Sequence, residues 1–390
     1  MATITFVSNY LNHHQLPFCT EMYRRIGTGF CFIATERMED GRAKLGWESM
    51  EKKRYELRSY ESQEAYIRAK EVIDGSDVVI IGSAPDELII ERLKKKKLTF
   101  KYSERFYKTG TPLKRLPRDM AAAWLHHGRF QKYPLYMLCA SAYTAGDAAR
   151  FGNYINRCYK WGYFPETLHY DERGLFQKKE HETTKILWVG RFLELKHPDD
   201  VVCLAERLKR AGYHFELDFI GMGPLENLLR QMIRDKGLED RVHLLGAMKP
   251  EKVRRHMEQA NIYLFTSDRN EGWGAVLNEA MNSGCAVVAS HAIGSVPFLV
   301  NDGENGLIYG SGSLEQLYEK VRYLMDEPSE QERLGKAAYQ TIVQSWNAEI
   351  AVKRLCQLSE QLLDGEKYPE PFVDGPCSRA EILHESWGRD

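Results

Sequence analysis

Short apolar runs alternate with longer amphipathic stretches along almost the whole chain. In the first half, the apolar runs lie at residues 4–9, 29–36, 77–83, 98–104, 136–141 and 157–163. In the second half, they lie at residues 185–191, 214–222, 241–247, 262–267, 285–290 and 306–310. Apolar runs of this length, separated by helical segments, predict βα units that build parallel sheets. We therefore expect an α/β protein with two doubly wound, Rossmann-like domains that face each other across a cleft.

Changes in composition mark the predicted domain boundaries. A chain of 390 residues is long enough for two ordinary domains. We expect an N-terminal domain at 1–172, a polar linker at 173–184, a second domain at 185–345, a helix at 346–365 and a tail at 366–390. Asn347 suits the N-cap of that helix and Gly365 its end, and its apolar stripe is expected to pack back on the N-terminal domain.

Composition and charge are those of a globular protein and name no partner. Hydrophobic residues make up 43% of the chain, charged residues 28%, and the formal net charge is −1. Residues 1–175 carry 28 Lys and Arg against 21 Asp and Glu, so the first half is basic and the second acidic. This asymmetry suits either a phosphorylated or anionic partner of the first half or an ordinary surface.

The cysteines and the N-terminus predict a cytoplasmic protein. The eight cysteines form no CxxC pair, and several lie in apolar runs, as expected of buried thiols in a reducing compartment. The first ten residues do not resemble a signal peptide, and no apolar run is long enough to span a bilayer.

The loops after three strands of the second half carry the candidate chemistry. In "VGRFLELKHPDD", Arg191 and Lys196 follow a strand, where they are either diphosphate ligands or ordinary solvated cations. In "FIGMGPLENLL", Gly221 and Gly223 either let a ligand approach the backbone or form a turn.

The stretch "RNEGWGAVLNEAMNSG" contains Glu271 and Glu279 on either side of a predicted helix start. Free amides at such a start can bind an anion, and a carboxylate can accept hydrogen bonds from the vicinal hydroxyls of a ribose. The plainer interpretation makes Glu271 a partner of the helix dipole and Glu279 an exposed helical residue.

Residues 185–310 resemble the nucleotide-sugar domain of retaining glycosyltransferases of the GT-B fold, family 4. The resemblance rests on the ordered series "WVGRF…K", "DFIGMGP", "RVHLLGAM" and "EGWGAVLNEAMNSGCAVVAS…GSVPFLVNDGENGLIY". It implies that Arg191 and Lys196 bind the donor pyrophosphate, Glu279 the ribose and Glu271 the transferred sugar. The full implied donor set is Gly190, Arg191, Lys196, Gly221, Gly246, Ala247, Met248, Glu271, Gly272, Trp273, Gly274, Ala275 and Glu279. Such enzymes are commonly metal-independent, use no cofactor and take the nucleotide-diphosphate sugar as substrate.

The first half resembles the family less. The segment "YMLCASAYTAGDAARFG" is similar to the family's serine-containing segment, with Ser141 as the serine. We expect the loops "NHHQ" and "YSER" at strand ends to supply cleft residues, with His14 and Glu104 as catalytic candidates beside Glu271, Arg191 and Lys196. The remaining candidates for acceptor binding are His13, Ser103 and Arg105. Adjacent histidines are equally expected as a solvated or capping pair.

Lys94, Lys95, Lys96 and Lys97 end a predicted helix that begins with acidic residues. The run either complements the helix dipole or attaches the protein peripherally to the inner face of an anionic membrane. The sequence carries no indication of a nucleic-acid partner.

The function predicted from these features is transfer of a sugar from a UDP- or GDP-sugar to a glycan, lipid-linked or small-molecule acceptor, in surface polysaccharide or glycoconjugate biosynthesis. The alternatives are a nucleotide-sugar epimerase or phosphorylase of the same architecture, and a non-catalytic sugar-nucleotide-binding subunit.

Overall fold

The protein folds into two compact units. The computed structural model describes residues 2–38, 51–108, 113–384 and 387–388. The first unit comprises Met1–Glu166 and Asn347–His384, and the second comprises Thr167–Trp346 and Glu385–Asp390.

In its described residues, the first unit contains a seven-stranded parallel sheet. Its strands are β1 (Ile4–Ser8), β2 (Phe30–Ala34), β3 (Glu56–Arg58), β4 (Val78–Ile81), β5 (Thr99–Ser103), β6 (Leu135–Cys139) and β7 (Cys158–Lys160). Their order in the sheet is β3-β2-β1-β4-β5-β6-β7. The helices of this unit are Leu16–Ile26, Gln63–Gly75, Ile90–Lys94, Leu116–His126, Thr144–Ala149 and Ala348–Leu363. The strand order reverses between β1 and β4, which is the position where doubly wound sheets bind ligands.

In its described residues, the second unit contains a six-stranded parallel sheet. Its strands are β8 (Thr184–Val189), β9 (Phe215–Ile220), β10 (Val242–Leu244), β11 (Ile262–Phe265), β12 (Ala286–Ser290) and β13 (Leu307–Tyr309). Their order is β10-β9-β8-β11-β12-β13, which reverses between β8 and β11. The helices are Glu172–Gln177, Pro198–Arg210, Glu226–Asp235, Pro250–Gln259, Val276–Asn282, Val296–Leu299, Leu314–Asp326 and Pro328–Gln344.

The apolar runs form strands because helices cover both faces of each sheet. Every residue of β4, β6, β11 and β12 is buried, so these strands read as continuous apolar segments. The prediction of two doubly wound domains is confirmed in the strands and in their parallel pairing.

The sequence pattern missed β3 and simplified one helix. β3 is the three-residue segment Glu-Leu-Arg, at the edge of the sheet, and it has no apolar run to reveal it. The predicted helix over 85–97 is a 3-10 turn at Asp86–Ile89 followed by the short helix Ile90–Lys94.

The chain leaves the first unit earlier than the predicted linker. The second unit begins at Thr167, and the predicted linker at 173–184 includes most of the helix Glu172–Gln177. Leu175 and Phe176 are buried against Tyr339, so this polar stretch is anchored by its two large apolar residues.

The C-terminal helix Ala348–Leu363 packs against the helix Leu16–Ile26 of the first unit. Its N-cap is Asn347, whose Oδ1 accepts a hydrogen bond of 2.9 Å from the backbone N–H of Ile350. The sequence therefore identified both the cap and the apolar stripe that directs the packing.

The tail after this helix completes the sheet of the first unit. The backbone of residues 377–380 pairs with β7 through N–H donors of Cys377, Lys160 and Ala380. An exposed edge strand presents unpaired backbone groups, and the tail covers this edge. Nothing in the aperiodic sequence of the tail predicted this pairing.

No helix among the described residues is long and apolar enough to cross a bilayer. All eight cysteines are free of disulfide bonds, and five of them are buried.

Candidate functional site

The loop after β8 presents the two predicted cations at the carboxyl edge of the second sheet. Arg191 is exposed, and Lys196 ends the 3-10 turn Glu194–Lys196 with its side chain only 14% exposed. The Trp188 indole donates to the Thr266 hydroxyl over 3.0 Å, and this hydroxyl donates to the Lys196 carbonyl over 2.6 Å. A buried tryptophan thereby fixes the position of the lysine.

Gly221 and Gly223 allow two backbones to approach each other. A Cβ on Gly221 would lie 1.9 Å from the carbonyl oxygen of Gly190, and a Cβ on Gly223 would lie 2.6 Å from that of Phe192. The backbone N–H of Phe192 donates to Met222 over 3.0 Å at this contact. The glycine pair therefore packs the loop after β9 onto the loop after β8.

Glu271 lies beside Lys196 at the same edge of the sheet. Its Oε2 accepts hydrogen bonds from Lys196 Nζ and from Ser267 Oγ, the latter over 3.1 Å. Its side chain is 15% exposed. A half-buried carboxylate and ammonium neutralise each other here, at the point where the strand order reverses.

The loop between Glu271 and the following helix turns at Gly274. Gly274 has a φ of +81°, and a Cβ there would lie 2.3 Å from the Phe265 ring. No described residue accepts a hydrogen bond from the backbone N–H groups of 272–275, although Gly272 and Ala275 are buried. Buried amides without an acceptor are suited to an anion.

The Trp273 side chain is structural. It is fully buried, its Nε1 donates to Asn278 Oδ1 over 3.0 Å, and its ring lies 5.9 Å from that of Trp346. Trp273 can therefore contact a ligand only through its backbone.

Glu279 lies half-buried in the helix Val276–Asn282, with 23% of its side chain exposed. Burial raises the pKa of its carboxyl group, and the nearby Arg254 guanidinium, 4.0 Å away, opposes that shift. Arg254 also donates to the Glu279 carbonyl and to Asn282 Oδ1, each over 3.1 Å. Sequence analysis did not identify Arg254, because it lies on a helix with no motif around it.

The segment after β10 lies at the same edge of the second sheet. Gly246 has a φ of +75°, and its carbonyl accepts a hydrogen bond of 2.9 Å from the Gly221 N–H. Ala247 is exposed and Met248 half-buried. These residues have backbone groups available to a ligand but offer no polar side chain.

The first unit contains an open cavity of about 430 Å³ at the reversal of its own strand order. It is lined by Ser8, Asn9, Tyr10, Asn12, Gln15, Gly82, Ser83, Tyr102, Ser103, Glu104, Arg105, Lys108 and Tyr163. Three residues predicted from "YSER" are therefore in this lining. Asn12 and Gln15 come from the predicted loop "NHHQ", although the sequence analysis selected its histidines and not these two residues. The remaining lining residues were not predicted, because no motif marks them.

Ion pairs neutralise the charges of this cavity. Glu104 accepts hydrogen bonds from Lys108 Nζ over 2.7 Å and from the Tyr163 hydroxyl over 3.2 Å. Arg105 lies 3.4 Å from Asp147 and is nearly buried. The cavity thus offers polar groups without a large net charge.

Three predicted residues of the first unit do not line the cavity. Ser141 is fully buried and accepts a hydrogen bond from the Tyr143 N–H over 3.4 Å, which places it at a helix start. His13 and His14 lie in the turn after β1, with ring centroids 3.7 Å apart and ring planes inclined by 48°. Burial lowers the pKa of His13 to about 4, and burial together with the His13 charge lowers the pKa of His14 to about 3.

Comparison with known proteins shows which family the second unit resembles. Residues 172–341 match the model of the family "Glycosyl transferases group 1". This match confirms that the second unit is similar to group 1 glycosyltransferases.

Two relatives illustrate the match. The chain is 30% identical over 187 residues to the amylovoran biosynthesis glycosyltransferase AmsK of Erwinia amylovora, covering 47% of this chain and 46% of that protein. It is 29% identical over 194 residues to a D-inositol 3-phosphate glycosyltransferase of Corynebacterium aurimucosum, covering 48% of this chain and 46% of that protein. The chain thus spans about half the length of the curated relatives it matches.

Solved structures extend the similarity of fold to nearly the whole chain. Anabaena Alr3699/HepE in complex with UDP has a TM-score of 0.67 and 14% identity, covering 93% of this chain and 100% of that one. Sucrose-phosphate synthase from Thermosynechococcus elongatus has a TM-score of 0.66 and 16% identity, covering 94% and 100%. The predicted fold class is confirmed: two Rossmann-like parallel-sheet units of the GT-B type.

The glycine contact can be tested by substitution. Gly221→Ala should lower the free energy of unfolding by about 3 kcal/mol or more, because the new Cβ would overlap the Gly190 carbonyl. Gly246→Ala is the matched control, since Gly246 also has a positive φ but no atom within 4 Å of its Cβ position. We expect the control to lose about 1–2 kcal/mol of the free energy of unfolding, because its side chain would adopt a positive φ. Urea unfolding, followed by tryptophan fluorescence, measures the free energy of unfolding of both variants. Equal losses would contradict a close backbone contact at Gly221.

The two histidines predict a pH dependence of stability. Their pKa values lie below the ordinary 6.5, so the unfolded chain takes up protons that the folded protein does not. The stability they contribute is complete above pH 6.5 and is lost as the pH falls toward 4. His13→Gln should therefore reduce the drop in Tm between pH 7 and pH 4.5, measured by differential scanning calorimetry. Substitution of the exposed His169 by Gln is the control, and an equal reduction there would refute the prediction.

Proposed function

We propose that the protein is a retaining glycosyltransferase that moves a sugar from a UDP- or GDP-sugar to a hydroxyl group of a glycan, lipid-linked or small-molecule acceptor. The observation that carries this proposal is the contact between Lys196 and Glu271, within the segment that matches the family. It lies where the strand order of the sheet reverses, and Glu279 lies in the helix that follows. The structure of HepE holds UDP, and AmsK is named as a glycosyltransferase of amylovoran biosynthesis. Both support a nucleotide-sugar donor and a role in surface polysaccharide or glycoconjugate synthesis.

The donor diphosphate is proposed to bind Arg191, Lys196 and the amides of 272–275. Arg191 is exposed and able to fork two phosphate oxygens, whereas Lys196 must exchange its contact with Glu271 for the phosphate. These groups can neutralise the diphosphate without a metal ion. We therefore expect transfer to persist in EDTA.

The two glutamates divide the recognition of the nucleotide and the sugar. Glu279 is proposed to accept hydrogen bonds from the ribose hydroxyls, with Arg254 favouring the ionised form of its carboxyl group. Glu271 is proposed to contact the transferred sugar once Lys196 turns to the phosphate. The base is proposed to lie against the backbone of 246–248, which carries little side-chain selectivity.

Stabilisation of the leaving group is the proposed source of catalysis. When the bond to the anomeric carbon breaks, negative charge collects on the departing diphosphate, where Arg191, Lys196 and the free amides stabilise it. The acceptor oxygen forms the new bond on the same face of the sugar, and its proton passes to the leaving phosphate oxygen. Retention follows from this same-face attack, and no carboxylate pair of the glycosidase type is required.

The acceptor is proposed to bind in the cavity of the first unit. Tyr163 and Lys108 hold Glu104, which can accept a hydrogen bond from an acceptor hydroxyl. Gln15 is 6% exposed, and its Oε1 has no hydrogen-bond donor among the described residues. A buried acceptor oxygen of this kind is suited to a hydroxyl group of the ligand. His14 is proposed to stand neutral beside this site.

The proposed reaction is tested by incubating the protein with UDP-, GDP- and ADP-sugars, with thermal shift selecting the nucleotide that stabilises it. Proton NMR of the transferred sugar then gives its anomeric configuration. An inverted product would refute retention. No stabilisation by any nucleoside diphosphate would refute the donor assignment.

The different roles proposed for the two glutamates predict that their substitution affects binding of the free nucleotide differently. Glu279→Ala should weaken binding of the free nucleoside diphosphate by about tenfold or more, because it removes hydrogen bonds to the ribose. Glu271→Gln should leave that binding equal or tighter, since it releases Lys196 for the phosphate, while kcat falls. Isothermal titration calorimetry with UDP and GDP measures the first quantity and initial rates measure the second.

Glu239→Gln, at an exposed position of the second unit outside the proposed site, provides the matched control. Equal losses of free-nucleotide affinity in the Glu271 and Glu279 variants would contradict the proposed division.

A further inference from the structure

The helix Leu116–His126 of the first unit exposes most of its large apolar side chains. Ala123 is its only buried residue. Met120, Trp124 and Leu125 are exposed by 52%, 63% and 43%. A surface helix ordinarily directs its apolar stripe inward and its charges outward.

The inward face of this helix makes polar contacts. His126 Nδ1 lies 3.2 Å from Asp86 Oδ2, and the His126 carbonyl accepts a hydrogen bond of 2.8 Å from Lys101 Nζ. Asp119, the one acidic residue of the helix, is half-buried. Apart from the half-buried Leu116, the helix is thus held to its unit by Ala123 and its terminal turn and not by its large apolar side chains.

The outward face is apolar with a basic margin. Successive residues of a helix are 100° apart, so Met120, Trp124, Ala121 and Leu125 follow one another around this face. Arg118 shares the face, and Lys114 and Arg115 lie exposed in the turn before the helix. Aromatic and aliphatic side chains with a basic margin are characteristic of helices that lie in the interface of an anionic membrane.

We propose that this helix, residues 116–126 with the preceding Lys114 and Arg115, binds the surface of an anionic lipid bilayer. The apolar face would enter the boundary between headgroups and acyl chains, and the cations would contact anionic headgroups. Charge complementarity favours a bilayer over a second copy of this chain, because a symmetric pair of these faces brings two sets of cations together. The inference goes beyond the proposed transfer reaction and does not depend on it.

The lysine run suggested by the sequence is a poorer candidate for this contact. Lys94 pairs with Glu91 over 2.7 Å, Lys95 pairs with Asp74, and Lys97 donates to the Asp74 carbonyl. Three of the four lysines of the run are therefore engaged by groups of the protein itself. Lys94 ends a five-residue helix without an exposed apolar face, and the other three lysines follow that helix.

Co-sedimentation with vesicles tests the proposal on the full chain. Binding is measured to phosphatidylcholine vesicles with and without phosphatidylglycerol, in the absence of donor or acceptor. We expect binding to the anionic vesicles, and a loss of about tenfold or more in affinity for the variant Trp124→Ser with Leu125→Ser. Both side chains are largely exposed, so the Tm of the variant should match the wild type.

Two matched controls separate this face from others. Tyr66→Ser with Ile67→Ser removes a second exposed pair, on the helix Gln63–Gly75, and should leave binding unchanged. Lys94→Gln with Lys95→Gln should change binding by less than about threefold, whereas Arg115→Gln with Arg118→Gln should weaken it and reduce its salt dependence.

Three results would overturn the proposal. The first is absence of wild-type binding to anionic vesicles, and the second is an equal loss in the Tyr66 and Ile67 variant. The third is a wild-type dimer in size-exclusion chromatography with light scattering that the Trp124 and Leu125 substitutions dissociate, since the face would then bind a second copy. None of these measurements requires catalysis, so their failure is distinguishable from failure of the proposed transferase function.

Discussion

The candidate site of the second unit depends on a contact between two backbones that leaves no room for a side chain. At the carboxyl ends of β8 and β9, Gly221 and Gly223 pack against Gly190 and Phe192 so closely that a Cβ would overlap backbone atoms. This contact brings the two loops to one level at the edge of the sheet. The hydrogen bonds that link Trp188, Thr266 and Lys196 then join the β8 loop to the end of β11. The positions of the cation and of the loop that carries Glu271 follow from this framework.

Charge is balanced locally at both candidate sites. Lys196 pairs with Glu271, Arg254 lies near Glu279, and in the first unit Lys108 pairs with Glu104. Half-buried charges are costly when unpaired, so each acid has a cation beside it in the protein without ligand. A charged ligand must therefore replace one of these contacts. In the proposed reaction, the diphosphate replaces Glu271 at Lys196 and leaves Glu271 available to the sugar.

Much of the fold was predictable, because the buried strands differ in composition from everything around them. The fully buried β4, β6, β11 and β12 were predicted within a residue or two. β3 was missed since a short edge strand needs no apolar run. The tail that pairs with β7 was missed for a related reason: backbone hydrogen bonds at a sheet edge place few demands on side chains.

At the candidate sites, motif residues could be predicted and their supporting partners could not. The sequence identified Arg191, Lys196, Glu271 and Glu279 because their spacing repeats a family pattern, and their roles remain predictions. Arg254 and Lys108 come from segments without a motif and reach their positions only through folding. In the predicted loop "NHHQ", the cavity is lined by Asn12 and Gln15 and not by the two histidines. The glycine pair shows the same limit, since "GMG" is compatible with a ligand contact or a turn, and the tertiary structure shows a close backbone contact.

The sequence by itself determined the alternation of strands and helices, the Asn347 cap, and the resemblance of the second half to a glycosyltransferase family. These properties depend on residues close together in the chain, where periodicity, capping and motif spacing act. Only the tertiary structure decided which side chains neutralise one another, which glycines are required by packing, and that the helix Leu116–His126 exposes its apolar face. Burial is a property of the packed chain, and no local pattern states which face of a helix will meet the protein.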